Sequence, residues 1–540
     1  MAQILHQFYR PKLFVALFLL LLALAGLCAV RDYGMPFDEL TEMQIFQSNL
    51  KEYALQWNPD NPGFYAALSV ARASESNDRE YGSSAYYLLA PFLPRLAGDI
   101  AAFSLAWSVL TWVWFMLGCA ALYGILRSAG LSRLPACAGM LLLYLMPRFF
   151  AEGHYNNKDM VLLSFVLITL YFGVRLMRKP GVLRALVFAL SAAIATNTRV
   201  VGLAVFGLTG LMVAAGVTVR RQWSRKMAWI ACAAVLGYLA FYVLLTPAMW
   251  SRPLEQLGYT LRSASSFSRW NGTILFRGAL FPDPGGSTPL PFYYLPYMML
   301  TTIPLYTSAL ALLGLFTLCG RWIQQKGAWL SEPSNLLLLT AALLLVLPVA
   351  CAVLFRPTVY NGWRHCYFVY AGLVILAGYG IHALAQWTRA SKAARAAVAV
   401  LLCACLLFTG AGIAYNHPYE FAFYNALVPR DRENYLELDY WNVGFAGAFR
   451  QLYGLKQDTG EPLVVGCYFN DISIGAYKLP PDIRSRLTLT ADRDAPYLCY
   501  NATYACLYRV QEPPEGYHTL FTARSYGRTL LTMYARDAGS

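Results

Sequence analysis

Charged side chains are scarce in this sequence. They make up 13% of its 540 residues, about half the ~25% of an ordinary soluble domain, while hydrophobic residues make up 58%. That balance excludes a chain whose main solvent is water. Metal signatures are missing as well: there is no Cys-x-x-Cys pair and no His-Glu-x-x-His, so nothing signals zinc. Internal repeats and low-complexity tracts do not stand out. The apolar runs are continuous rather than alternating, which favours helices over a β-barrel as the way to satisfy backbone polar groups in lipid.

What is there is a series of long apolar segments. Spans are expected near 13–30, 100–126, 132–147, 160–177, 183–198, 200–219, 227–246, 294–319, 334–354, 364–386 and 395–414. Each is close to the ~20 residues that cross a bilayer as a helix. The first lacks a small-x-small cleavage site and reads as an uncleaved helix, and Cys28, after a bulky leucine, makes a poor lipoprotein site. The formal charge of +14 is distributed by topology. With the N-terminus inside, every second short loop carries cations, from Arg127 and Arg133 to Arg389, Lys392 and Arg395. That is the positive-inside pattern, not a nucleic-acid surface. The expected fold class is an α-helical polytopic membrane protein with a small mixed α/β C-terminal domain.

Five pieces then face away from the cytoplasm: 31–99, 148–159, 247–293, 355–363 and 415–540. The chain divides into a transmembrane domain, 1–414, and a C-terminal domain, 415–540. Within the latter, 443–455 reads as an amphipathic helix, 462–470 as a strand and 486–509 as further strand. Most of the twelve cysteines lie in spans, where they act as small hydrophobes. Cys467, Cys499 and Cys506 lie in the tail, and a Cys499–Cys506 disulfide is expected there. Asn271-Gly-Thr and Asn501-Ala-Thr are outward sequons.

Unusual polar chemistry concentrates on the same face. The first loop opens PFDELTE, placing Asp38 and Glu39 just past the first span and Glu42 one helical turn on. Helix capping accounts for such acids; so does a general base at the membrane surface. The turn HYNNKDM holds His154, Asn156, Asn157, Lys158 and Asp159. A cap needs one acceptor, whereas this run is rich in donors, which suits an anionic, oxygen-rich ligand. The turn YNGWRHCYFVY adds Arg364 and His365 where the positive-inside rule disfavours cations, and Arg199 in TNTRVVG is a weaker candidate of the same kind. Interfacial aromatics alone would be an ordinary belt.

The stretches FDEL, HYNNKDM, PFYYLPYMMLTTIP, YNGWRHCYFVY, HPYEFAFYNAL and LDYWNVG, in that order across most of 1–445, resemble the GT-C glycosyltransferases. Within them the likeness is to the protein-mannosyltransferase and aminoarabinose-transferase branch. The segment 450–540 resembles nothing nameable. The resemblance implies a sugar donor on polyprenyl phosphate, used on the outer face of a bacterial inner membrane, with inversion at the anomeric carbon. Topology agrees independently, since nucleotide sugars are cytosolic and the polar clusters face out. Asp38 would be the base and Glu39 would orient it or bind the acceptor. His154, Asn157, Lys158, Arg364 and His365 would bind phosphate and sugar, and Asp159 would position Lys158 or touch a metal. Metal-dependent members carry a full Asp-x-Asp in the second loop. Here a lysine stands beside one carboxylate, which favours a reaction without Mg or Mn. The acceptor would be a lipid, a glycan or a protein. A glycan polymerase or ligase using lipid diphosphates is an alternative. A secondary transporter is another, although the spans show few mid-membrane charges and no halves.

Overall fold

Proline and glycine decide where the helices of this chain stop and how closely they pack. A computed structural model describes all residues except 1–10, 61–62, 266–271, 283–288, 358, 360, 431–433, 458–459, 468–472, 508–509 and 538–540. The main helices are α1 (Pro11–Ala29), α2 (Glu39–Trp57), α3 (Ile100–Ser128), α4 (Arg133–Tyr144), α5 (Asp159–Arg178), α6 (Val182–Thr198), α7 (Gly202–Val219), α8 (Arg225–Leu245), α9 (Leu305–Gln325), α10 (Pro333–Phe355), α11 (Tyr370–Trp387), α12 (Lys392–Asn416) and α13 (Phe445–Leu455). Among the described residues, eight helical segments are long and apolar enough to cross a membrane, and α1, α4 and α6 supply three shorter apolar helices. The chain has the make-up of a multi-pass integral membrane protein.

The expected span 294–319 is in fact two helices. Tyr294–Thr302 ends at Ile303, which is extended (ψ 135°), and α9 begins after Pro304. A proline disfavours the α conformation in the residue before it and offers no N–H to continue the ladder. The same residue type breaks 132–147: α4 ends at Tyr144, and Pro147–Glu152 forms a separate short helix.

Helix α5 and the segment Arg364–Trp387 lie at the centre. The latter's apolar window is 83% buried, against 17% for α8 and α12 at the rim. Helices α9 and α11 touch backbone to backbone: a Cβ on Gly314 would sit 2.0 Å from Leu376 O, and one on Gly380 2.1 Å from Leu310 O. Small residues permit this approach in a bundle that lipid does not drive together. Rim helices present large apolar side chains outward, among them Trp229, Leu236, Leu401 and Phe408, as a hydrocarbon solvent requires.

The C-terminal part is a five-stranded sheet in the order β4 (Leu487–Thr490), β3 (Leu463–Gly466), β5 (Tyr497–Asn501), β7 (Arg528–Arg536), β6 (Tyr517–Ser525). Strands β4, β3 and β5 run parallel, and the β6–β7 hairpin closes the sheet antiparallel. A smaller hairpin, β1 (Ile274–Phe276) with β2 (Ala279–Phe281), stands in the connection between α8 and α9 and bridges to Leu436. The tail is docked on the C-terminal ends of the first and last membrane helices. Arg450 of α13 donates to the carbonyls of Arg31 and Asp32 at 2.6 and 2.8 Å, and Tyr526 N donates to Asn416 Oδ1 at 2.6 Å.

The disulfide expected in the tail is not formed. Cys499 and Cys506 are both free thiols. Cys499 packs with Cys467 in the apolar core of the tail, whereas Cys506 belongs to a short helix, Ala502–Leu507, beside Glu512. Asn501, of the second sequon, is buried and donates to Asp439 O and Asn442 Oδ1 at 3.1 and 2.8 Å. The other sequon, at Asn271, lies outside the described residues.

Candidate active site

Four separate segments bring their charged residues to one place. Asp38 is the N-cap of α2, yet its side chain makes no capping bond. It forms no hydrogen bond or ion pair among the described residues, and the charges acting on it are those of Arg364, Lys158, Asp159 and Arg199. Asp159 opens α5, but Asn156 does the capping there: its Oδ1 accepts from Asp159 N at 2.9 Å. Neither carboxylate is therefore spent on a helix end, which removes the capping explanation for both.

Each cation is held by a carboxylate. Arg199 Nη2 lies 2.7 Å from Asp159 Oδ1, and Arg364 Nη1 lies 3.9 Å from Asp159 Oδ2. Lys158 is ion-paired with Glu42 and stands 3.7 Å over the Tyr81 ring. The expectation that Asp159 positions Lys158 is thus corrected: Glu42 does so, one helical turn beyond Asp38, and Asp159 holds the two arginines. Arg364 is aimed by its turn. Asn361 and Gly362 both have positive φ, 48° and 75°, a tight reversal that asparagine and glycine tolerate. Its guanidinium lies 4.5 and 4.6 Å from the rings of Tyr440 and Trp441, and Nη2 donates to Tyr440 OH at 2.9 Å. His365 sits in the field of Arg199, Arg364 and Lys158.

Burial pushes the Asp38 carboxyl up from its ordinary value, against the pull of Arg364, Lys158 and Arg199. The result is a carboxylate more basic than usual, facing three fixed cations. Such a site can remove a proton at one end and stabilise negative charge at the other.

Other expected site residues are placed elsewhere. His154 is fully buried between Trp112 and Tyr33, with ring centroids at 4.2 and 4.8 Å. Its nitrogens contact the carbonyls of Phe150 and Gly26 at 2.8 and 2.9 Å, and desolvation lowers its pKa to about 4. It fastens α1 to the turn and is closed to ligand. Glu39 turns the other way from Asp38, into the bundle, where it accepts from Ser104 Oγ and feels Lys478. Alternation of direction at the start of a helix explains this, since neighbours on a helix do not share a face. Asn157 is half-buried and makes no hydrogen bond among the described residues.

A cleft with about 420 Å³ of empty space adjoins Arg364. Arg148, Glu152, Asn361, Tyr367 and Glu437 contribute its polar lining. Glu152 accepts from Tyr367 OH at 2.7 Å and from Asn156 Nδ2 at 2.6 Å, and Glu437 accepts from Asn361 Nδ2 at 2.8 Å. Burial raises both carboxyls to about 7. Some of the site's residues carried weak signals in the sequence: Glu42 by helical spacing, Arg199 by its place at a helix end, Tyr440 and Trp441 within LDYWNVG. Tyr81, Arg148 and Glu437 carried none. Among the described residues no group of three or more His, Cys, Asp or Glu side chains is arranged to hold a metal.

No family model matches the chain, and no curated protein matches it. Among solved structures it is similar to ArnT from Cupriavidus metallidurans in the apo state, at 13% identity and a TM-score of 0.46, over 97% of this chain and 98% of that one. The same protein bound to undecaprenyl phosphate aligns at 12% identity and a TM-score of 0.42, over 96% and 98%.

Proposed function

We propose that the protein is an integral-membrane glycosyltransferase. It moves a sugar from a polyprenyl-phosphate donor to a hydroxyl or phosphate of a lipid, glycan or protein, on the non-cytoplasmic face. The observation that carries this reading is Asp38: a carboxylate with no partner of its own, set among Lys158, Arg199 and Arg364 from three separate segments. In the reaction Asp38 takes the acceptor proton while the acceptor oxygen attacks the anomeric carbon from the side opposite the phosphate. The carbon–oxygen bond to phosphate breaks, its electron pair stays on the phosphate oxygen, and the configuration inverts. Lys158, Arg199 and Arg364, with His365 beside them, meet the charge that grows on the leaving phosphate. Positive charge enough for this comes from side chains, and we take the reaction to run without a metal. The raised basicity of Asp38 improves it as a base near neutral pH.

Purified protein supplied with a polyprenyl-phosphate sugar and an acceptor lipid extract provides the test. Wild type should release free polyprenyl phosphate, and Asp38→Asn should lose the activity by about 10²–10⁴-fold while its thermal unfolding stays close to wild type. Undiminished release by Asp38→Asn would remove the base assignment. Solute flux into sealed vesicles with no covalent product would favour a transporter.

A further inference from the structure

The acidic start of α2 is held by the C-terminal domain on both sides of Asp38. On one side, Gly34 N donates to Val443 O at 3.3 Å and Phe37 N donates to Trp441 O at 3.4 Å. The approach is close: a Cβ on Gly34 would sit 2.6 Å from Val443 O, and the Phe37 ring lies 5.0 Å from that of Tyr440.

On the other side, the segment 474–479 is wedged between bundle and tail. Ile474 and Tyr477 pack against the main core of the bundle, whereas Ala476 and Leu479 belong to the core of the tail. Lys478, among them, sends its amine into the bundle, where Nζ donates to Ser108 Oγ at 2.7 Å. Ser108 lies one helical turn from Ser104 on α3, and Ser104 donates to Glu39. Both serines are fully buried. Lys478 is the strongest charge acting on Glu39, and Glu39 acts on Lys478 in return, with Arg450 opposing.

A buried carboxylate stripped of its countercharge is costly. Without Lys478, Glu39 would be drawn toward the next cations, those that surround its neighbour Asp38. Asp38 has no capping bond of its own, so its aim is inherited from the residues before and after it. We propose that Lys478 is a positioning residue for the base: it keeps Glu39 against α3, and Phe37 and Glu39 together fix the direction in which Asp38 faces the cations. The proposal rests on the transferase reading of the site.

Lys478→Met, which keeps the reach of the side chain and removes its charge, is the test. Release of polyprenyl phosphate and hydrogen exchange by mass spectrometry are followed on the full chain in detergent. The kcat should fall about 10–100-fold, as it does when a reacting group is misplaced, with the KM for the lipid donor unchanged because Lys158, Arg199 and Arg364 are untouched. Amides 39–43 should exchange about tenfold faster than in wild type, while those of α5 and α11 stay protected. Removing both charges should relieve the defect: Glu39→Gln/Lys478→Met is expected to turn over about tenfold faster than Lys478→Met. Should Lys478→Met not fold, Ser108→Ala cuts the same anchor and should move kcat and exchange in the same direction. Wild-type kcat in Lys478→Met, or a loss that the double variant does not relieve, would overturn the proposal. So would exchange at 39–43 equal to that of wild type. The transferase reading fails separately, by absence of release from wild type, and exchange then decides alone whether Lys478 holds the segment.

Discussion

Arg199 and Asp159 form an ion pair at 2.7 Å that joins the C-terminal end of α6 to the first residue of α5. The other oxygen of Asp159 faces Arg364, so one nearly buried carboxylate sets the spacing of two guanidinia.

Replacing Arg199 should therefore weaken the donor's phosphate site. Loss of a charge-assisted hydrogen bond costs about 1.5–3 kcal/mol, or roughly 10–100-fold in affinity for polyprenyl phosphate. Arg199→Gln is expected to lose that affinity and Arg199→Lys to keep part of it, measured by tryptophan fluorescence titration in detergent. Equal affinity for wild type and Arg199→Gln would place the phosphate elsewhere.

Glu42→Gln should act through Lys158. With its ion pair gone, Lys158 keeps the Tyr81 ring as a rest. The expected signature is a higher KM for the lipid donor with a smaller change in kcat, separated by steady-state kinetics. A variant with the KM of wild type would show that Lys158 is held without Glu42.

Rate should depend on pH through Asp38. Its carboxyl is pushed up by burial, so the acid limb of kcat/KM should lie above the ordinary range of an aspartate, with the rate rising as pH rises through it. Asp38→Glu should shift that limb. A profile flat from pH 4 to 7 would contradict a carboxylate base.

Stability should move the opposite way. Glu152, Glu437 and Asp439 all have carboxyls raised to about 7 by burial. A carboxyl that is harder to ionise when folded binds protons more tightly in the native state. Its contribution is fully present below the unfolded value near 4 and is lost as pH rises through 7. Thermal unfolding in detergent should thus occur at higher temperature at pH 5 than at pH 8, with a shallower slope in Asp439→Asn. A melting temperature that climbs with pH over this window would refute the assignment.

His154 gives a prediction of separation. His154→Phe should lower the melting temperature, because the contacts to the Gly26 and Phe150 carbonyls are lost, and should leave donor KM unchanged. A raised KM with unchanged stability would return His154 to the binding site.

The spans were legible because lipid imposes one rule on every helix that crosses it, and a run of apolar residues is that rule written out. Pro304 was equally visible, but a proline tells where a helix stops only when the residues after it are known to continue in another. Side-chain direction was the harder matter. Asp38 and Glu39 are neighbours in sequence and belong to different surroundings, one facing cations and the other buried against Ser104. His154 and Lys158 share a turn, yet an aromatic pair from 33 and 112 encloses only the first. Such outcomes depend on partners far along the chain. Glu437 was invisible as a site neighbour for the same reason.

The Arg364 guanidinium rests on Tyr440 and Trp441, both supplied by chain that follows the last membrane helix. One wall of the charged pocket is consequently furnished by the soluble portion, and the membrane helices alone would leave that arginine without a backstop. A chain shortened after residue 416 should still insert in the bilayer, with Arg364 still facing Asp159 but without the two rings behind it, and changes to the cap would be felt as changes in substrate grip.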